Sequence, residues 1–139
     1  YHSNILSVSK NGKSFIYGSN NFVSIIKLQL KNAAGKRGHQ VKPLYSGLLV
    51  GHQRKHKVTA VSFSQHEELE NICISGDTNG VVLVWDIASK SCLHTHAVHC
   101  APITCLSSSP IEPGLFVCCD SAGYLSTCYL GNLESDTQK

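Results

Sequence analysis

Two short motifs constrain this chain more than any other feature: Gly51-His52 and, after 31 intervening residues, Val84-Trp85-Asp86. The interval contains three runs rich in β-branched and aromatic residues, bounded by turn residues, and this pattern is typical of β-strands. Asp77–Gly80 has the composition of a tight turn between the last two runs. The sequence therefore predicts a small antiparallel sheet with strands at Val58–Phe63, Ile72–Gly76 and Val81–Asp86.

Three residues of this interval are suited to a buried hydrogen-bond network. Trp85 has a large apolar body and one N–H donor, so a buried indole needs an acceptor such as the Ser75 hydroxyl. His52 has two ring nitrogens and can extend the chain of hydrogen bonds. We interpret all three residues as structural groups.

The same pattern occurs again 43 residues later, which is the distance between Trp85 and Cys128. Upstream, two more apolar runs flank Asn20-Asn21, and Asn11-Gly12 before them is typical of a hairpin turn. Self-similarity at a fixed period of this length is the signature of repeat architectures. The further predicted strands are 14–18, 22–28, 103–106, 115–119 and 123–129. The chain is thus divided into repeats at 1–50, with a basic insertion at 31–42, at 51–98, and at 99–139, which includes a polar tail.

These repeats resemble those of the WD-repeat family, which begin near a Gly-His, carry a serine in the second strand and end the third with Trp-Asp. The resemblance implies an all-β fold, the WD-repeat β-propeller, in which each repeat forms one blade. A closed ring requires at least four blades of about 40 to 45 residues. The 139 residues correspond to about three blades. We therefore expect a partial propeller, a piece of a larger ring whose open blade edges leave it poorly stable alone.

The resemblance also implies an acidic member for each hydrogen-bond network, just before the turn glycine. Asn79 stands at that position in the second repeat and Ala122 in the third. An amide accepts a hydrogen bond but carries no charge, so the second network is expected to be weak. Its predicted members are His52, Ser75, Asn79 and Trp85. The third repeat is expected to have lost both the tryptophan and the acid.

Basic side chains are concentrated in the first 57 residues, which contain ten Lys or Arg and no Asp or Glu. Residues 58–139 contain two basic and nine acidic side chains, so the net charge of +3 conceals a strongly basic part. Such a part favours an anionic partner, although a merely solvated surface explains it as well.

Blade topology sorts these cations into two groups. In an antiparallel blade, the loop before the first strand and the turn between the second and third strands lie on one face. Residues 54–57 are therefore expected to share a face with the turns at Asn20, Asn79 and Ser121. The insertion, which we expect to be a mobile loop, lies on the opposite face with Lys10 and Lys13. For a nucleic-acid partner, the predicted binding residues are Arg54, Lys55 and Lys57.

Within the WD-repeat family, the string from Leu49 to Pro110 is similar to the amino-terminal, RNA-recognising propellers of survival-of-motor-neuron complexes. The likeness rests on a histidine-rich stretch at 94–99, the run Ser64–His66 and an aromatic residue near the start. It implies binding of small nuclear RNA, at the uridine-rich Sm site and the methylguanosine cap, during spliceosomal snRNP assembly. It also implies protein subunits of a ribonucleoprotein assembly complex as partners.

The same resemblance makes Tyr1 a ligand residue for the cap or the RNA. A methylated purine is positively charged and stacks on aromatic faces, and single-stranded uridines are bound by stacking and edge contacts. His2 departs from the family, because a second aromatic residue is expected there. A frayed terminus without a role is the alternative interpretation of Tyr1.

Other classes of function find little support. Glycine-rich phosphate loops and nucleophile arrangements are absent from the sequence, so we expect no enzyme, no cofactor and no small-molecule substrate. The residues whose types suit zinc are His94, His96, His99, Cys100 and Cys105. We expect no zinc site, because His94 and His96 project to one side of a strand while His99 and Cys100 lie in the following loop, and this spacing does not complete a tetrahedral set of ligands. Seven cysteines without a visible secretory signal or membrane-spanning run favour free thiols, a cytoplasmic and nuclear location, and no membrane partner. The alternative function is a protein-interaction scaffold of a multisubunit complex without RNA specificity.

Overall fold

The computed structural model describes residues 5–32, 39–97 and 99–130, which form three antiparallel sheets. The first sheet, blade 1, consists of β1 (Leu6–Val8), β2 (Ser14–Ser19), β3 (Phe22–Asn32) and β4 (His39–Val50). Blade 2 consists of β5 (Val58–Phe63), β6 (Ile72–Asp77), β7 (Val82–Asp86) and β8 (Ser91–His96). Blade 3 consists of β9 (Ile103–Ser108), β10 (Leu115–Asp120) and β11 (Leu125–Tyr129). The predicted all-β partial propeller of three blades is confirmed.

Each blade is a meander, because its strands are hydrogen-bonded in chain order. One short 3₁₀ helix, Glu67–Leu69, lies between β5 and β6. None of the helical structure in the described ranges is long and apolar enough to cross a membrane.

The blades are held together by two apolar cores, one at each blade–blade junction. The core between blades 1 and 2 contains Ile16, Ile25, Phe63 and Trp85, all almost fully buried. The core between blades 2 and 3 is built around Ile74, Val84, Ile103, Leu106 and Phe116. Because a buried side chain of this size contributes about 1.5–3 kcal/mol, these junctions dominate the stability of the stack.

Gly80 shows why the turn of the second repeat requires glycine. Its φ is +79°, and an added Cβ would lie 2.3 Å from the carbonyl oxygen of His99. The turn of blade 2 therefore lies directly against the segment that leads into blade 3. A side chain at this position would push the two blades apart.

The prediction of a mobile loop across 31–42 is wrong at both ends. β3 and β4 continue the hairpin, so that Lys31 is opposite Gln40 and Asn32 is opposite His39, and residues 33–38 lie outside the described part of the chain. Alternating apolar and polar residues continue through Leu28 and Leu30, which favours a strand. Pro43 is compatible with it because β4 is the edge strand of its sheet.

The predicted sorting of loops into two faces agrees with the hydrogen bonds between them. The Val58 N–H donates to the Asn20 carbonyl at 2.6 Å, and the Thr78 N–H donates to the Lys57 carbonyl at 2.9 Å. In blade 3, the Ser121 N–H donates to Pro102. We call this side the front face; it comprises the segments leading into β5 and β9 and the turns β2–β3, β6–β7 and β10–β11. Lys10, which pairs with Glu67 at 3.3 Å, lies on the back face.

Candidate nucleic-acid interface

The basic segment 54–57 is a short, exposed loop on the front face that is fixed at both ends. Arg54, Lys55 and Lys57 are exposed, and His56 is half-buried. The His56 N–H donates to the carbonyl of Gln53 at 2.8 Å, which closes a tight turn. The flanking residues His52 and Val58 are buried, so the turn holds the cations close together on the surface.

His52 anchors this segment through a buried network under the front face. Its Nδ1 lies 2.7 Å from Asp77 Oδ2, and its Nε2 lies 2.7 Å from Ser75 Oγ. Trp85 donates its indole N–H to the same Ser75 oxygen at 2.8 Å. Because Ser75 accepts from Trp85, its own hydrogen is directed to Nε2, and a neutral His52 then donates from Nδ1 to Asp77.

Asp77, which the sequence interpretation did not include, is the acidic member of this network. Its other oxygen accepts the backbone N–H groups of Asn79 at 2.8 Å and Val81 at 3.1 Å. Burial alone raises the pKa of Asp77, but the hydrogen bonds from His52 and these two N–H groups outweigh burial and hold the pKa below its usual value.

The predicted role of Asn79 in the network is wrong. Its side chain is exposed on the front face, and only its backbone N–H takes part, as a donor to Asp77. The physical reason is geometric: the acid stands at the end of β6, where one carboxylate reaches both the turn amides and the histidine. An aspartate two residues after a buried strand serine was the signal for it.

Blade 3 has a network of its own, so the expected loss at Ala122 is also wrong. His99 Nδ1 lies 2.7 Å from Asp120 Oδ2, and His99 Nε2 lies 2.7 Å from Ser126 Oγ. Asp120 Oδ1 accepts the N–H groups of Ala122 and Tyr124. As in blade 2, these hydrogen bonds outweigh desolvation and lower the pKa of Asp120. Hydrogen bonding to Asp120 likewise outweighs burial for His99 and raises its pKa.

Cysteines replace two members of the second-blade network in blade 3. Cys118 stands on β10 where blade 2 has Ser75, and Cys128 stands on β11 where blade 2 has Trp85. The serine hydroxyl is supplied instead by Ser126, whose Oγ lies 2.8 Å from Cys118 Sγ. A hydrogen bond from Cys128, with further ones from Ser126 and His99, lowers the pKa of Cys118.

The structure does not bring together the five His and Cys residues that were considered for zinc. Tyr1 lies outside the described residues. His94 and His96 stand side by side on β8 with ring centroids 6.3 Å apart, while His99 belongs to the blade 3 network. Cys100 and Cys105 are exposed. In the described part of the chain, no group of three or more His, Cys, Asp or Glu side chains is arranged to hold a metal ion.

Tyr124 is an exposed aromatic residue of the front face that the sequence interpretation missed. It follows the β10–β11 turn, its backbone is fixed by two hydrogen bonds to Asp120, and its side chain is 63% exposed. An exposed ring on a fixed backbone is a suitable platform for a stacked base. The sequence carried no signal for it, because alternation along a strand does not show which side chains of the strand remain exposed.

Carboxylates are distributed unequally between the two faces. The acids at the front face in the described ranges, Asp77 and Asp120, are buried beneath the turns and bonded to histidines. The other described acids lie on the back face, in the loops β5–β6 and β9–β10 or at the end of β7: Glu67, Glu68, Glu70, Glu112 and Asp86. Among the residues that the structure describes, the front face therefore presents cations and neutral polar groups to the solvent.

Fold and networks together define a segment of a WD-repeat β-propeller. Residues 42–86 match the family model described as "WD domain, G-beta repeat". The chain is similar to Gem-associated protein 5 of human, with 35% identity over 92 residues, and of mouse, with 33% identity over 89 residues. These alignments cover 66% and 64% of the chain but 6% of the length of each relative.

A solved structure has the same arrangement of blades. A chain in the crystal structure of the mitotic checkpoint complex superposes with a TM-score of 0.71 at 18% identity. The match covers 97% of this chain and 37% of that one. At this identity the likeness concerns the fold alone.

Proposed function

We propose that the front face binds single-stranded, uridine-rich RNA of the small nuclear RNA class, with the methylguanosine cap as a second determinant, during spliceosomal snRNP assembly. The single observation that carries the proposal is the separation of charge between the faces. Exposed Arg54, Lys55 and Lys57 stand on a surface from which the carboxylates are withdrawn into buried networks. Phosphate groups are therefore attracted to one side of the propeller.

Stacking and edge contacts would give this electrostatic surface a preference for unpaired bases. Tyr124 supplies an exposed ring, and the exposed amides of Asn20 and Asn79 supply both donors and acceptors for base edges. Tyr1, by the family resemblance, is the residue that stacks on the cap. Each of these contacts requires a base outside a duplex, which favours single-stranded RNA.

The similarity to Gem-associated protein 5 supports a place in an assembly complex with protein subunits as further partners. We also infer a non-catalytic role without a cofactor, in the cytoplasm and nucleus. All seven cysteines are free thiols, as suits a reducing compartment.

The test is binding of labelled capped RNA with a uridine-rich Sm-type site, compared with uncapped and scrambled RNA, at two salt concentrations. Arg54→Ala, Lys55→Ala and Lys57→Ala should each weaken binding of all three RNAs and reduce the salt slope by about 0.7. Lys13→Ala is the matched control, because this cation lies on the back face and should leave binding unchanged.

Two aromatic substitutions separate base recognition from simple charge attraction. Tyr124→Ala should cost about 1–3 kcal/mol for RNA with unpaired bases and little for a duplex. Tyr1→Ala should remove the preference for capped RNA. Equal, salt-sensitive binding to all three RNAs, unchanged by these substitutions, would contradict the proposal and favour the alternative, a scaffold whose basic segment meets acidic protein partners.

A further inference from the structure

A polar cleft of about 200 Å³ opens on the back face between blades 1 and 2. Both blades line it with polar and charged side chains. Blade 1 contributes Lys27 and, directly opposite in register, Ser14, together with Ser46 of β4. Blade 2 contributes Lys90 from the β7–β8 turn and Glu70. The cleft is separate from the front face, and the proposed RNA interface does not use it.

The backbone around Lys90 brings its ammonium group to this cleft. Lys90 has a φ of +55°, a left-handed conformation that residues with a side chain rarely adopt. Its side chain lies over Gly47, where an added Cβ would be 2.7 Å from both Cε and Nζ of Lys90. Two unusual positions, a lysine with positive φ and a glycine over which the end of that lysine lies, therefore meet at one place. Strained positions of this kind concentrate at ligand-binding sites.

Four of the donors that line the cleft are not used by the protein itself. In the described ranges, neither Lys27 nor Lys90 forms an ion pair, and the hydroxyls of Ser14 and Ser46 have no hydrogen-bond partner. These groups are therefore available to a ligand that accepts hydrogen bonds. All four groups can donate a hydrogen bond to an anion, because an ammonium group only donates and a hydroxyl can either donate or accept.

The balance of charge also favours an anion. Two ammonium groups stand against one lining carboxylate, that of Glu70. Two neighbouring acids are already engaged: Glu67 pairs with Lys10, and Asp86 accepts from the Ala88 N–H and the Ser89 hydroxyl. A ligand with two negative charges would neutralise both lysines.

We propose that this cleft binds a phosphate dianion, either free or as the monoester of a phosphorylated residue. The volume, several times the roughly 30 Å³ of a water molecule, accommodates a phosphate group and the first atoms attached to it. Lysine ammonium groups and serine hydroxyls are ordinary phosphate ligands, and hydrogen bonds between ionised partners are the strong ones.

The test is titration of the full chain with inorganic phosphate and, separately, with a phosphoserine peptide, at constant ionic strength, followed by backbone amide shifts. Saturable shifts at Ser14 and Lys27 are expected.

Substitutions in the cleft identify the groups that bind the phosphate. Lys27→Ala and Lys90→Ala should each weaken binding about tenfold. Gly47→Ala keeps every charge but crowds the flexible end of the Lys90 side chain, so it should weaken binding less than Lys90→Ala does. Glu70→Gln should tighten binding, and Lys13→Ala, outside the cleft, should have no effect.

The two probes distinguish the source of the phosphate. Tighter binding of the peptide than of inorganic phosphate supports a phosphorylated partner, and equal binding supports the free anion. Shifts that do not saturate, or saturable binding that Lys27→Ala and Lys90→Ala leave unchanged, would overturn the proposal. Because the front-face cations are intact in these variants, RNA binding should persist whichever result is obtained.

Discussion

At the scale of single residues, two buried aspartates organise the front face. Asp77 and Asp120 each accept two turn N–H groups and a histidine Nδ1–H, so one carboxylate fixes a turn and the loop before the first strand together. From sequence, His52, Ser75 and Trp85 were expected to meet because their hydrogen-bonding capacities match. The position of the acid was predicted wrongly: it was expected at Asn79, just before the turn glycine Gly80. The carboxylate that reaches His52 belongs instead to Asp77, the last residue of β6.

Asp77→Ala should reduce the free energy of unfolding by about 3 kcal/mol, because it leaves the histidine N–H and two backbone N–H groups unsatisfied in a buried site. Urea unfolding measures the change. Asn79→Ala, in the same turn but with an exposed side chain, should change stability by no more than about 0.5 kcal/mol. Equal losses for the two variants would show that Asp77 has no special role.

His96 makes stability depend on pH. It is buried, its Nε2 has no partner among the described residues, and its ring packs edge-on against Phe116 at 5.6 Å. Burial, reinforced by the neighbouring His94, lowers the pKa of His96. The unfolded chain therefore binds the proton more readily, so stability should fall as the pH drops below about 6.5.

His96→Phe should reduce this loss of stability, measured as the difference in urea midpoint between pH 7 and pH 5. The variant keeps a ring against Phe116 but has no group to protonate. His99, whose pKa is raised, contributes the opposite dependence on pH and is the same in both proteins. An unchanged difference between the two pH values would rule out His96 as its source.

Among the structural elements, most strands could be predicted from the sequence, but the continuation of the β3–β4 hairpin beyond residue 28 could not. Every blade strand from β2 onward except β4 and β8 was expected from alternation, because a half-buried strand must place apolar residues on one side. β8 was expected only as the strand on which His94 and His96 lie, while β1 and β4 were missed: β1 is three residues long, and β4 is an edge strand with mixed composition. The Ala-Gly-rich stretch after Asn32 suggested a loop and hid the continuation of the β3–β4 hairpin.

The junction between blades 2 and 3 can be tested at Gly80. Gly80→Ala adds a Cβ that would lie 2.3 Å from the His99 carbonyl oxygen, besides the cost of its left-handed backbone. We expect a loss of about 3 kcal/mol or more in urea unfolding. Gly123→Ala is the matched control, since its φ is +88° and its Cβ meets no atom within 4 Å. It should lose only about 1–2 kcal/mol.

At the scale of the whole molecule, both ends of the blade stack present apolar side chains to the solvent. Leu6 and Val8 are more than half exposed on blade 1, and Leu125 and Tyr129 are 55% and 44% exposed on blade 3. On β11 these two alternate with buried Ser126 and Cys128, so they form the face turned away from blade 2. Such faces associate in water.

The chain alone should therefore self-associate as its concentration rises, as light scattering would show. Leu125→Ser should reduce the association. Ile111→Ser is the control, because Ile111 is 85% exposed but belongs to a loop rather than to a blade face. A chain that stays monomeric, or equal effects of the two substitutions, would contradict a role for the open blade faces.

Mapping an oligouridine onto the chain through backbone amide shifts would show whether the front face is an RNA interface. The shifts should be confined to residues 54–57, the β6–β7 turn and the segment from Ser121 to Tyr124, and they should be lost in a chain carrying Lys55→Ala and Tyr124→Ala. Shifts on the back face instead, or none on either face, would show that RNA does not bind at the front face.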